Sequence, residues 1–456
     1  MVMLKNKYLM VLPLIGLLCF IVPAQYHHMK ETYDAILNST GLVFEDFDKK
    51  LREENEQAVQ DEEKYKKLLQ AEERTYMELS EQEGSESSEQ LDEQGKITDT
   101  KLSLHANSAL LLDASNNRVL YERNGFKRMS MASTTKIMTC IVTLENADLN
   151  DVVEVSSYAA RMPDVQLNIN TGEKYYLKDL LFSLMLESHN DVAVAIAEHV
   201  GGSVEGFATM MNDKARKLGC ENTNFITPNG LDAEGHYTTA RDLAVIASYA
   251  VKNDKFIEIT NTSSHSFKEI VKGRSFTVTN KNKFLYMMEG AIGVKTGFTG
   301  DAGYCFVGAI KREDKFLISV VLGCGWPPNK SLKWSDTKEL MNYGIENYKE
   351  RQIIKNLNLK PIMVKRGQQQ FLKPYMNDEL TLLLRDDEKV TVQYKLPDFI
   401  EAPVKADTVI GEVQYYIDDQ YYTSLPIYSS TYVPKINYPF CFRRIINLWN
   451  CNGSLK

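Results

Sequence analysis

Strand signals stand at both ends of a long stretch of this 456-residue chain, with helical patterns between them. Ala109–Asp113 and Arg118–Tyr121 flank Asn116-Asn117 and read as a hairpin. Far downstream, Ala291–Lys295, Gly303–Ile310 and Lys315–Leu322 read as three more strands. Amphipathic or apolar helical runs lie between, at Ser133–Leu144, Leu177–Leu186, Asp191–Val200, Val204–Leu218 and Thr239–Val251. A last helix is expected near Ser335–Tyr348. A chain so arranged closes by returning its late strands to its early ones. The expectation for 101–350 is therefore an α+β domain whose first and last strands share one sheet.

Residues 351–434 change character. Short alternating stretches, Glu379–Leu384, Lys389–Tyr394 and Val409–Tyr416, are separated by Asp, Gly and Pro, which predicts a small all-β sandwich. The tail 435–456 ends in Pro439–Lys456. A helix there places Phe442, Ile445, Ile446 and Trp449 on one face and Arg443, Arg444 and Asn447 elsewhere. That pattern suits a helix lying on a membrane surface, and it also suits one docked on the sandwich.

Before 101 the chain is different again. Lys5 and Lys7 followed by the apolar run Tyr8–Val22 read 1–25 as a secretory signal, with Ala24 as the small residue before cleavage. An uncleaved anchor is the alternative, and either places the body outside the cytoplasm. The segment 26–100 reads as an acidic helical or disordered spacer. From Glu45 to Asp99 there are 19 Asp/Glu against 8 Lys/Arg, more than the whole chain's net −8. The folded body is thus nearly neutral, and nothing in the charge favours nucleic acid. Seven cysteines without a CxxC pair point to neither a disulfide scaffold nor a zinc site. Cys305 and Cys324 fall on neighbouring strands turning at Lys311–Asp314. That register sets 305 opposite about 320 and leaves both thiols free and buried.

Three short motifs carry chemistry. In Ser133-Thr134-Thr135-Lys136, the three-residue offset puts Lys136 Nζ within reach of Ser133 Oγ, and a buried neutral lysine is a base for a serine nucleophile. Ser188-His189-Asn190 offers a hydroxyl to pass a proton and an amide to hold Lys136 or a substrate. Lys295-Thr296-Gly297 is expected to end its strand, giving a cation and a hydroxyl for a carboxylate and a bare backbone beside them. Each alone is commonplace. Together they come in order on helix, loop and strand, 55 and 107 residues apart.

In that combination the chain resembles the serine D-alanyl-D-alanine carboxypeptidases, the low-molecular-weight penicillin-binding proteins. The likeness includes Ala132–Thr139 (ASTTKIMT), Leu184–Ala197 (LMLESHNDVAVAIA), Asn229–Asp242 (NGLDAEGHYTTARD) and Gly293–Gly303 (GVKTGFTGDAG), and spans roughly 103–434. It implies a penicillin-binding/β-lactamase-like transpeptidase domain followed by the small β domain. It also implies that Ser133 forms the acyl-ester, with Lys136 as its base and Ser188 as proton relay. Asn190, Lys295, Thr296 and Gly297 would bind substrate, and the backbone N–H groups of Ser133 and Phe298 would hold the oxyanion. His189 and Phe298 depart from common family choices and are expected to tune substrate preference. An arginine that some members place beyond the next strand has no clear match here, leaving Lys330 or Lys333 as weak substitutes. The partners implied are peptidoglycan pentapeptide stems and, as covalent inhibitors, β-lactams; no metal or organic cofactor is implied. Two rivals remain: a class A-like β-lactamase, which needs a glutamate where Asn224 stands, and a non-catalytic peptidoglycan-binding scaffold.

Overall fold

The computed structural model describes residues 102–353, 359–377 and 379–451. The expected signal 1–25 and the acidic spacer 26–100 lie outside the described residues. Two compact units are present, one of 100–355 with 379–390 and one of 356–378 with 391–456.

In the first unit, β1 (Ser108–Asp113) and β2 (Arg118–Arg123) form the expected hairpin. A 3-10 turn, Ala132–Thr135, leads into α1 (Lys136–Asn146). A short pair, β3 (Val152–Glu154) with β4 (Lys174–Tyr176), precedes α2 (Leu177–Leu186), α3 (Asn190–Gly201) and α4 (Val204–Lys217). Then come α5 (Ala240–Ala250), α6 (Asp254–Asn261) and the hairpin of β5 (Ser264–Lys268) with β6 (Ser275–Thr279). Strands β7 (Ala291–Thr299), β8 (Gly303–Lys311) and β9 (Phe316–Leu322) and helix α7 (Leu332–Asn347) close the unit.

The sheet runs β2-β1-β9-β8-β7, all antiparallel, so the last strands do return to the first. Strand β1 pairs β9 from Ser108 opposite Leu322 to Asp113 opposite Leu317. Because successive side chains alternate, each face takes its own cover. Leu110, Leu112, Val307, Ile318 and Val320 pack with Ile137, Leu180, Leu184, Val192 and Ile246 of the helices on one side. Leu111, Phe306, Ile310, Leu317 and Val321 pack with Leu340 and Met341 of α7 on the other. Burial on both faces explains why β8 and β9 read as continuous apolar runs rather than alternating ones.

Three expectations need correction. The β8–β9 turn is Arg312–Lys315, closed by Arg312 N–H to Lys315 O at 2.8 Å, one residue later than expected. Phe306 therefore faces Val321, a two-residue shift of register, while Cys305 and Cys324 are free and buried. Second, Lys295-Thr296-Gly297 lies inside β7, which continues to Thr299. The apolar pattern fades at Lys295 because Thr296, Gly297 and Thr299 are not large apolar residues, yet the backbone pairing with Phe306–Gly303 continues. Third, the stretch Glu379–Leu384 does not join the β domain. β10 (Lys349–Gln352) pairs with Thr381–Leu384 in the first unit, where Leu382, Leu383 and Leu384 are buried.

In the second unit, β11 (Ile362–Lys365) is flanked by β12 (Phe371–Leu372) and β16 (Phe399–Glu401). A four-stranded sheet runs β13 (Pro374–Tyr375), β18 (Gln420–Ser429), β17 (Val409–Ile417) and β15 (Val390–Lys395); β14 is the Thr381–Leu384 strand of the first unit. Its core is Val364, Leu372, Ala402, Val404 and Val433. Helix α8 (Tyr438–Cys451) follows. Tyr438, Phe442 and Ile446, spaced by four, are exposed; the side chain of Trp449 lies outside the described residues. Among the described residues no helix is long and apolar enough to cross a membrane.

Candidate active site

The 3-10 turn sets the first two groups. With three residues per turn, positions three apart eclipse, and Ser133 and Lys136 are such a pair. An α-helix was expected from Ser133 onward; the tighter turn gives the more direct alignment. Lys136 Nζ lies 3.0 Å from Ser133 Oγ, 2.8 Å from Asn190 Oδ1 and 2.5 Å from the Asn229 carbonyl oxygen. Lys136 is fully buried, and burial holds its ammonium well below the ordinary lysine range. The charge of Lys295 pushes the same way, and Asp191 opposes both. Asn190 opens α3, and its Nδ2 donates to the Pro163 carbonyl at 3.2 Å, which fixes Oδ1 toward the lysine.

Ser188 sits just before that helix in the left-handed region, with φ of 72°. Its Oγ is buried and has no hydrogen-bond partner among the described residues. A buried hydroxyl left unpaired costs about 1–3 kcal/mol unless a ligand completes it.

Strand β7 supplies the other wall. A Cβ on Gly297 would stand 3.0 Å from Ser133 N and 3.1 Å from Met131 O, so the glycine lets the nucleophile's turn press onto the strand. The backbone register then decides where the next N–H points. Tyr304 donates its N–H to Gly325 O at 2.9 Å and accepts from Cys324 N at 2.8 Å, so both its polar groups face away from β7. Phe298, directly opposite Tyr304, therefore turns its own N–H and C=O to the open edge. Phe298 immediately follows Gly297, whose Cβ position lies beside Ser133 N. Thr296 C=O, turned the same way as that of Phe298, receives Lys295 Nζ at 3.1 Å. Lys295 is buried, and burial, reinforced by the charge of Lys333, brings its pKa down to about 7.

Residues 95–325 match the family described as D-alanyl-D-alanine carboxypeptidase, peptidase S11. Residues 348–435 match the C-terminal domain of penicillin-binding protein 5. The chain is 30% identical to the D-alanyl-D-alanine carboxypeptidase DacF of Bacillus subtilis over 364 residues, 78% of this chain and 92% of that one. It belongs to the S11 carboxypeptidase family. The D-alanyl-D-alanine carboxypeptidase of Streptomyces sp. K15 is 34% identical over 261 residues, 54% of this chain and 89% of that one. Penicillin-binding protein 5 of Haemophilus influenzae superposes with a TM-score of 0.64 at 26% identity, over 74% of this chain and 100% of that one.

Against that family, the departures of this S11 carboxypeptidase gain a physical meaning. His189 is buried, its Nδ1 2.7 Å from Ser183 Oγ and its Nε2 3.4 Å from Glu187 Oε2. It braces the end of α2 through Ser183. Phe298 is 43% exposed and lies 4.6 Å from the Tyr304 ring. Of the two candidate lysines, Lys333 is the buried one, its Nζ over the rings of Tyr304 at 4.5 Å and Trp334 at 5.1 Å. Lys330 carries no such burial.

Several groups at the S11 site escaped the sequence reading. The Asn229 carbonyl on Lys136 is backbone, which no residue type announces. Asp191, buried, accepts the N–H groups of Leu167 at 3.0 Å and Ile169 at 3.2 Å, and so secures the loop before α2 to the start of α3. Asp232 accepts from Thr299 Oγ1 at 2.8 Å and Asp301 N at 3.4 Å, tying the end of β7 to the Asn229–Asp242 segment. Among the described residues no cluster of three or more His, Cys, Asp or Glu is arranged to hold a metal.

Proposed function

We propose that this carboxypeptidase removes the terminal D-alanine of peptidoglycan pentapeptide stems through an acyl-enzyme on Ser133. The observation that carries the reading is the set of partners around Lys136. A neutral amine has two N–H donors and one lone pair. Asn190 Oδ1 and Asn229 O can only accept, so they take the two donors and leave the lone pair for the Ser133 proton.

Ser133 Oγ then bonds to the penultimate carbonyl carbon while its proton passes to Lys136. Charge develops on the carbonyl oxygen between Ser133 N–H and Phe298 N–H, each such donor being worth about 10²–10³ in rate. The C–N bond breaks, and the unpaired hydroxyl of Ser188 relays a proton to the departing D-alanine nitrogen. Lys295 and Thr296 hold the substrate carboxylate; Gly297 lets the Ser133 turn pack against β7 beside them. Water then adds to the ester and releases the tetrapeptide.

A β-lactam presents the same carboxylate and carbonyl, but its amine stays tethered. No glutamate occupies the position of Asn224, whose amide is spent on Gly235 O at 2.7 Å. The acyl-enzyme is therefore expected to persist. The same reading places the protein outside the cytoplasm after a signal over 1–25, with the acidic segment 26–100 as a tether. The exposed Tyr438, Phe442 and Ile446 of α8, beside Arg443 and Arg444, are read as a membrane-surface contact.

The test is D-alanine release from a synthetic pentapeptide, together with intact-mass analysis after penicillin. One adduct on the Ser133 peptide, absent in Ser133→Ala, is expected. Lys136→Ala should lose at least ~10²-fold in turnover. An adduct on Ser188, or rapid destruction of penicillin without an adduct, would overturn the assignment.

A further inference from the structure

His236 takes no direct part in the reaction, yet the imidazole is buried between the two segments that hold its first proton transfer. Its Nδ1 accepts the backbone N–H of Ile226 at 3.0 Å and, more loosely, that of Thr227 at 3.4 Å. A nitrogen that accepts carries no proton, so the neutral ring bears its proton on Nε2. Nε2 lies 2.9 Å from Thr135 Oγ1 and donates to it. The Thr135 hydroxyl is thereby free to donate onward to the Ala132 carbonyl at 2.8 Å. Burial, which brings the pKa of His236 down to about 4, agrees with a neutral ring.

The two ends of this relay matter. Ala132 holds φ at 49°, a region a residue with a Cβ enters at a cost of order 1 kcal/mol, and it immediately precedes Ser133. Ile226 and Thr227 begin the run to Asn229, whose carbonyl receives Lys136. Thr139 Oγ1 adds a second tie to that run through Pro228 O at 2.6 Å. The turn that carries the nucleophile and the loop that orients its base are thus joined through one ring.

We infer that His236 is a positioning residue for acyl transfer, clamping through Thr135 the Ser133 turn to the loop whose Asn229 carbonyl aligns Lys136. This rests on the roles proposed above for Ser133 and Lys136. It does not touch the carboxylate end of the site, and that separates it from a merely structural role. Loss of the clamp misaligns proton transfer and leaves ligand binding intact.

His236→Ala and Thr135→Val should each lower the rate of Ser133 acylation by penicillin ~10–100-fold, the cost of a misplacement of about 1 Å. The dissociation constant of a D-Ala-D-Ala peptide, measured in a Ser133→Ala background, should stay within about twofold. Thr135→Ser, which restores the hydroxyl, should recover acylation, and the double variant should be no slower than the slower single one. Should His236→Ala fail to fold, the Thr135 pair decides alone. Acylation within about threefold of wild type in folded Thr135→Val would overturn the clamp. Equal losses in acylation and in peptide affinity would overturn it too. Failure of the function itself would look different: the unaltered protein would neither release D-alanine nor be acylated on Ser133.

Discussion

Removing a positive charge from this site should strengthen its grip on an anion at alkaline pH. Lys295 is buried beside Lys333, and its pKa of about 7 owes most to burial and next to that neighbour. Neither lysine has a recorded carboxylate partner among the described residues: Lys295 donates to Thr296 O, and Lys333 rests on aromatic faces. On the role proposed for Lys295, a substrate carboxylate binds its protonated form, so binding raises that pKa. The sign follows. Affinity is full below about 7 and falls above it, as the free enzyme loses the proton before the complex does. If the complex holds its proton beyond pH 9, affinity drops about 50-fold from pH 7 to pH 9. Lys333→Gln removes the second cause of the depressed pKa, so the fall should begin at higher pH. At pH 9 the variant should bind more tightly than wild type. Titration calorimetry of an N-acetylated D-Ala-D-Ala peptide against Ser133→Ala and Ser133→Ala/Lys333→Gln, from pH 6 to 9, reads this directly. A flat profile in the first protein, or a fall that begins at lower pH in the second, would refute the electrostatic account.

Two further outcomes are expected. Gly230→Ala would set a Cβ 2.1 Å from the Ala132 carbonyl oxygen at φ of 81°, and should cost roughly 2–4 kcal/mol in thermal or denaturant unfolding; a loss below about 1 kcal/mol would contradict the packing described. Deleting Pro439–Lys456 should abolish sedimentation with anionic vesicles while leaving activity on a soluble peptide unchanged, and equal sedimentation of both forms would remove the membrane role of α8.

What could be read from the chain, and what could not, divides along physical lines. Helix α2 was legible to the residue because Leu177–Leu186 buries eight of its ten side chains and so carries a dense apolar signal. The β5–β6 hairpin went unread because each strand buries a single residue, Phe267 or Val278. Helix α6 was missed although Asn253 caps it, accepting from Lys255 N at 2.9 Å and Phe256 N at 3.1 Å; one Asn is too common a signal to be decisive alone. Ser133, Lys136 and Asn190, named from the sequence, do come together; side chains at fixed offsets within short motifs are legible. The Asn229 carbonyl is a backbone atom brought to Lys136 from 93 residues away, and the His236 ring meets Thr135 across 101. Gly297 serves a need that the sequence reading did not name: what requires the missing Cβ is the turn bearing Ser133.

The open edge of β7 is also a hazard that this fold contains. An unpaired strand edge invites any extended chain, including another copy of the same protein. Here little of it is on offer. The Ser133 turn presses on Gly297, and Asp232 ties down Thr299 and the N–H of Asp301. What these contacts leave between them is the stretch of edge around Phe298, which is 43% exposed. On the proposed reaction, the same few contacts that leave the edge at Phe298 open to a substrate also shorten the edge offered to a second chain.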